Sequence, residues 1–566
     1  MAERLDEARD DGVTAPAPRW IRASLEVNEG RDPLGLQTTT QDRLMPVLLP
    51  GILELTRRAR YLSFHAFLLH EYQQRQLLVD STAQSTFFRR REWDFGLAVE
   101  RCRNCDSSPV GAQRLGSLSK GDGPFPRGES VDSSFGGYGL YYRSPMAELG
   151  LVARRGTMLG DQPIPIDVLY DRPRAQRLAA EFRAAVEGTA YYKGAMWTTH
   201  ELTAEVVDEY AAAACLCRLR ERVSERDAVH DAVFGSDADV DMPSPAIGVS
   251  PPSAPTGDDP SIQPSSMSEG VAQRRRSVAH YLTLLRSCPE IVESESAYRE
   301  ALWAPPAPLG DAHAIVAGQW AALVAKDVWQ EAICSVWSEF CRAGVARYRE
   351  MGQGLTWDQI RETATNLTGG PPLLEGSAPT RDLAASLLNG TLTVSGKTGV
   401  AINVVEAPLD SLRSLTVELN TATSALVVLL ELARRMADRT GAGWMYASHV
   451  ASAWQPSVAA VVSGLQAHLE TDPTVGDTLW WLVSRFVEPV HQRIAYSKLP
   501  EFTFRFRWEE GLLRFYDRDR TRFPLAAIRR GSLASITGDL GLWDLDANDV
   551  PALTDRGERF VVEVLT

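Results

Sequence analysis

Cysteine and lysine are both scarce in this sequence, and no apolar stretch is long. Seven cysteines among 566 residues is an odd, sparse number that excludes a disulfide-framed secreted domain and implies free thiols in a reducing compartment. Lysine occurs only at 120, 193, 326, 397 and 498, against 54 arginines. That skew fits GC-rich bacterial coding and carries no chemistry by itself. The apolar run from Ala425 to Leu430 ends at Glu431, far short of the roughly 20 residues that cross a bilayer, so no membrane partner is expected. Residues 1–20 are crowded with charge and lack the apolar stretch of a secretory signal, so the expected location is cytoplasmic. The net charge of -14 argues against a protein that coats polyanions indiscriminately, because that requires a positive field, while leaving room for a local basic patch.

Also absent are His-Glu-x-x-His, Gly-x-Ser-x-Gly and Gly-x-Gly-x-x-Gly motifs, and with them the common signatures of zinc proteases, serine hydrolases and dinucleotide enzymes. Gly390 to Thr398 resembles a phosphate loop one residue too long. A helical segment precedes it and β-branched residues follow it, the reverse of the strand-loop-helix order that a phosphate cradle needs. A hairpin spanning Thr391 to Val405 is the expectation there, and no cofactor is expected.

The apolar pattern is mainly helical. Ile52, Leu55, Ala59, Leu62, Ala66 and Leu69 make one stripe at 3,4 spacing, which predicts a helix started by Pro50 and Gly51. Thr199 is expected to cap a helix over Glu201 to Arg222, and Ala314 to Tyr348 carries Trp320, Trp329, Trp337 and Phe340 at helical spacing. Thr421 is expected to cap a helix through Arg435, and Asp472-Pro473 to open another. The segment 235–270 holds seven prolines and six acids with no Lys or Arg, and reads as a disordered linker or a loop inserted in one helical body. The expected organisation is therefore a helical domain over 1–234, that segment, a second helical region over 271–500, and a distinct end over 501–566.

At that end the period changes to two. Phe502, Phe504, Phe506 and Trp508 alternate with Thr503, Arg505 and Arg507, and Glu509-Glu510-Gly511 turns the chain into Leu512 to Tyr516, which predicts a β-hairpin. Eight arginines lie between Glu501 and Arg530 against five acids. Arg505, Arg507, Arg514, Arg518, Arg520 and Arg522 form the candidate nucleic-acid surface, because guanidinium forks match phosphate oxygens. The bland reading is an amphipathic strand with an arginine-rich outer face.

Leu540-Gly541-Leu542-Trp543 and the later Leu553-Thr554-Asp555-Arg556-Gly557 resemble the close of a winged-helix domain. Residues 524–566 carry four arginines and seven acids, and a net of -3 suits a protein partner better than a DNA groove. Gly30 to Leu36, Leu49-Pro50-Gly51-Ile52 and Thr56 to Tyr61 resemble an uncharacterised bacterial family from mobile-element and antiviral-defence neighbourhoods, a resemblance that implies no catalytic residues.

Two further constellations compete with structural explanations. Arg60 and His65 match the Arg-x4-His pattern of HEPN-type ribonucleases, where arginine binds phosphate and histidine moves a proton. Chance supplies several such matches in a chain with 54 arginines and nine histidines, and on a helix the two side chains diverge by about 140°. Cys102, Cys105, Cys215 and Cys217 have the count of a four-thiolate zinc site. On a regular helix, however, Cys215 and Cys217 point about 200° apart, so buried free thiols are the expectation and no metal is assigned. The reading as a whole is a mainly α protein with a C-terminal hairpin and a winged-helix-like module. Its expected role is a binding or scaffold subunit whose partners are other protein subunits, with DNA or RNA as a second class. The alternatives are a metal-independent ribonuclease using Arg60 and His65, and a pure protein-interaction scaffold.

Overall fold

The computed structural model describes residues 32–105, 107–159, 161–198, 200–235, 267–368, 375–395, 401–517 and 524–566. Helices dominate, and the described strands form only two-stranded antiparallel pairs. The helices that position the candidate site are α1 (Arg60–Gln74), α2 (Ser81–Glu100), α3 (Pro173–Val186), α4 (Ala204–Ala214), α5 (Val223–Phe234) and α6 (Met267–Ser287). Further along lie α7 (Asp311–Met351), α8 (Ala422–Ala437), α9 (Arg530–Asp539) and α10 (Asp555–Leu565). Among the described helices none is long and apolar enough to cross a membrane.

The 41-residue α7 is the longest of the described helices. Trp320, Trp329, Trp337 and Phe340 are all buried on it, as expected for a helix that is apolar around most of its circumference. It ends where Gly352 enters the left-handed region at φ 67°, a conformation that glycine adopts without a Cβ clash. Buried apolar side chains from Leu34 to Leu565 join into one connected core. The helices on either side of the Pro-rich segment belong to it: Arg274 on α6 donates to the Val233 carbonyl at 2.7 Å and to the Pro50 carbonyl at 2.8 Å. Most of the proposed linker, 236–266, lies outside the described residues.

One expected cap is where side-chain chemistry puts it. Thr421 caps α8 through Ser424 N. Two other starts shift by one or a few residues. Thr203, rather than Thr199, caps α4, and Thr474 forms a reciprocal capping box with Asp477 just after Asp472-Pro473. Thr199 itself lies outside the described residues.

The helix expected from Ile52 begins only at Arg60. Side chains from elsewhere capture the backbone donors before it: Glu148 accepts from Gly51 N at 2.7 Å, Tyr142 Oη from Arg58 N at 3.2 Å and Asp539 from Ala59 N at 3.0 Å. A backbone so satisfied has no need of the helical ladder.

The hairpin pairs Phe506–Glu509 with Leu512–Phe515 and turns through Glu510 (φ 50°) and Gly511 (φ 80°), the left-handed pair that suits a tight two-residue turn. Its strand is shorter than the alternation suggests, since Phe502 and Phe504 precede it. Phe506 and Phe515 pack on Phe340 of α7 with ring centres 5.5 Å away in both cases. Leu513 also exchanges two backbone hydrogen bonds with Leu355, at 2.8 and 2.9 Å. The second expected hairpin pairs Thr393–Ser395 with Ala401–Asn403, and its turn at 396–400 lies outside the described residues.

After α9 a small hairpin pairs Trp543–Leu545 with Pro551–Leu553, and Thr554 caps α10 through Gly557 N at 3.2 Å. Phe560 of α10 packs on Phe234 of α5, ring centres 4.8 Å apart.

Candidate metal centre

The four cysteines that the spacing rule sets apart lie together. The Sγ atoms of Cys102, Cys105, Cys215 and Cys217 are all within 4.8 Å of one another. Cys102 Sγ is 3.8 Å from Cys217 Sγ, and Cys105 Sγ is 3.6 Å from Cys215 Sγ. A disulfide would bring two sulfurs to about 2.05 Å, and all four are free thiols. Four thiolates around one zinc ion at about 2.3 Å have tetrahedral edges of about 3.8 Å, against 3.8 and 3.6 Å for these two pairs and an upper bound of 4.8 Å for the rest.

The expectation that Cys215 and Cys217 diverge fails because the helix between them does not exist. α4 stops at Ala214, Cys215 is extended at ψ 146°, and a tight 3₁₀ turn runs from Leu216 to Arg220. The first pair sits in the turn that follows α2, where Cys102 N donates to Val99 O at 3.1 Å.

Amide and hydroxyl donors already point at the sulfurs. The Cys217 amide donates to Cys215 Sγ, and both the amide and the hydroxyl of Ser107 donate to Cys105 Sγ. Burial pushes the Cys215 thiol far up and the Cys217 thiol to about 12. Burial also raises Cys105, but the Ser107 donors and the neighbouring thiols outweigh it and bring that thiol down to about 7. Without a cation, three or four thiolates could not share this space, whereas a divalent ion supplies the missing charge.

Arg60 and His65 sit close by in sequence space but not as a catalytic pair. Both are fully buried. The Arg60 guanidinium is taken by Glu225, at 2.9 Å from Nε and 2.8 Å from Nη2, and by the carbonyls of Ala213 and Cys215. No donor is left facing solvent for a phosphate. His65 lies in a box of Tyr61, Phe88, Tyr138 and Tyr142 rings. Desolvation lowers its pKa to about 3. Its Nε2 is 3.7 Å from Glu92 Oε1. Burial raises Glu92 to about 8, although the amides of Gly137 and Tyr138 oppose that rise. In the segment 133–143, Tyr138 and Tyr142 are buried against α1 and α2.

The basic hairpin is more neutral than its composition. Arg514 pairs with Glu509 at 2.8 Å, and Arg507 approaches Glu509 at 4.0 Å while its guanidinium lies over the Tyr496 and Phe504 rings. Arg505 is the residue whose amide donates to His491 Nε2 at 2.9 Å. Arg518, Arg520 and Arg522 lie outside the described residues. Just beyond them Arg529 is buried on the carbonyls of Met45 and Leu49, and Arg530 pairs with Glu295 at 3.2 Å. Cys334 and Cys341 are buried on α7.

Three residues of the site carry no sequence signal: Ser107, Glu225, and Arg60 in the role the structure gives it. Compared with family models, curated proteins and solved structures, the chain matches none.

Proposed function

We propose that this chain is a non-catalytic helical scaffold whose N-terminal half is closed by one structural zinc ion on Cys102, Cys105, Cys215 and Cys217, and which offers its C-terminal unit to a protein partner. The carrying observation is the convergence of four thiols from segments 110 and 115 residues apart to within 4.8 Å of one another, with two of the pairs at the edge length of a four-thiolate site. With four protein sulfurs on one ion no position remains for water or substrate, and a closed set of this kind stabilises a fold rather than activating a nucleophile. The withdrawal of Arg60 and His65 into the core supports a scaffold over the ribonuclease.

For the partner, α9, the small hairpin and α10 have the helix-hairpin-helix order of a winged-helix end. Phe560 and Val561 are buried, and Leu545, Val550 and Val562 are exposed at 53%, 40% and 53%. Exposed aliphatic side chains on an acidic unit suit a protein surface rather than a DNA groove.

Elemental analysis of gently purified protein tests the zinc. One zinc per chain is expected, lost when Cys102 and Cys217 are both changed to serine and kept when Cys288 is. Iron in place of zinc would revise the ion. Protein that arrives without metal, and takes up neither zinc nor cobalt under reducing conditions, overturns the reading.

A further inference from the structure

We infer that Arg60 is the positioning residue of the metal centre, acting on the ion through the backbone that carries two of its ligands. This rests on the zinc reading above.

Local preference alone would carry α4 onward. Its last four residues, 211–214, are alanines, the best helix formers, and neither glycine nor proline follows. In a continued helix the Cys217 amide would donate to the Ala213 carbonyl, four residues back, and the two thiols would face apart. Instead that amide turns to Cys215 Sγ. The Ala213 carbonyl, partly buried, would lose that donor, and Arg60 Nη2 takes it at 3.1 Å. Nη1 donates to the Cys215 carbonyl, which also accepts from Arg218 N at 3.0 Å. One guanidinium therefore takes the carbonyl that loses its helical donor and a second one beside it, at the break that aims both thiols at one point.

The guanidinium is itself held in place. Glu225, fully buried in the first turn of α5, accepts from Arg60 Nε and Nη2, from Ser63 Oγ at 2.8 Å, and pairs with Arg222 Nε at 3.2 Å. The Arg60 guanidinium carbon also lies 5.2 Å from the centre of the Phe182 ring on α3. Arg60 opens α1, so its side chain joins the start of α1, the end of α4 and the start of α5. Four of the five N–H groups of the fork have partners. A lysine ammonium, a point charge on a flexible stem, has no planar fork to satisfy two carbonyls and a carboxylate together. Partners that orient metal ligands from outside the coordination shell typically control affinity by about 10–100-fold.

The test measures zinc affinity by chelator competition and the visible spectrum of the cobalt-loaded full chain. The variants are Arg60→Met with Glu225→Gln, which removes both fully buried charges together and leaves only the partly exposed Arg222 without its carboxylate, and Arg60→Lys, which keeps the charge and loses the fork. Arg143→Met with Asp167→Asn removes another bidentate pair, partly buried, and serves as the control for a purely structural loss. The expected result is zinc affinity lowered about 10–100-fold in both Arg60 variants, with a changed cobalt ligand-field band and an unchanged affinity and band in the control. Unchanged affinity and spectrum in the Arg60 variants, or an equal loss in the control, overturns the inference. Wild-type protein that binds no metal overturns the zinc reading itself, a separate result.

Discussion

The cysteine turn and the arginine hairpin are both short segments rich in one reactive residue type, and the fold treats them in opposite ways. The hairpin concentrates arginines in sequence, yet Arg514 pairs with Glu509 and Arg507 lies over aromatic rings. The thiols lie in two close pairs 110 and 115 residues apart in sequence and converge to within 4.8 Å. Density along a chain therefore says little about density in space. An exposed ribbon provides its own counter-charges from the opposite strand, whereas a metal set needs two segments brought to one point by the packing of the whole N-terminal half.

The largest effect that would sharpen this contrast is removal of the ion. Chelation, or Cys102→Ser with Cys217→Ser, is expected to lower the stability of the chain by about 4 kcal/mol at a thousandfold excess of free zinc over its Kd, read as a fall in Tm. The hairpin has no such dependence on a ligand, but it does depend on a close backbone approach. A Cβ added at Gly344 of α7 would run into the Phe515 ring, so Gly344→Ala should cost up to about 3 kcal/mol in urea unfolding.

A smaller effect comes from the aromatic box beside the metal half. Glu92, raised to about 8 by burial, keeps in the folded chain a proton that the unfolded chain has already released above its ordinary pKa. Stability from this group is full below pH 4.5 and is lost as pH rises toward 8. His65, lowered to about 3, is neutral in both states above pH 6.5 and so contributes its own change only below that value. Between pH 6.5 and 8 the wild type should therefore lose about 2 kcal/mol that Glu92→Gln does not, seen as unfolding midpoints that diverge across that window.

The smallest expected effect belongs to the hairpin surface. Arg514→Glu should alter stability by less than about 0.5 kcal/mol, since its partner pair is half exposed. Gel mobility of labelled DNA and RNA should be the same with wild type and variant. Binding at low salt that the variant abolishes would return the hairpin to the centre of the function.

Much of the architecture was legible because it is local. The Trp-rich helix, the Thr421 cap and the Glu510-Gly511 turn all follow from spacing within a few residues, and the structure has each of them. The errors have one cause. The apolar stripe from Ile52 and the alanine run before Cys215 both have good helical character, and in both the backbone donors or acceptors are captured by side chains remote in sequence, such as Asp539 for Ala59 and Arg60 for Ala213. Arg60 was visible as a candidate because of its distance from His65. Its partners, 153 to 165 residues away, were not.

What the amino-acid order determined alone is the helical class, the end of α7, the hairpin turn and the presence of four thiols in two close pairs, since each depends on bonds closed within about four residues. Only the tertiary structure decided that α4 ends at Ala214 and that those pairs meet. Ending the helix at the close of its alanine run takes from the Ala213 carbonyl the amide that would have been its partner. The break stands because a buried guanidinium from another helix reaches it.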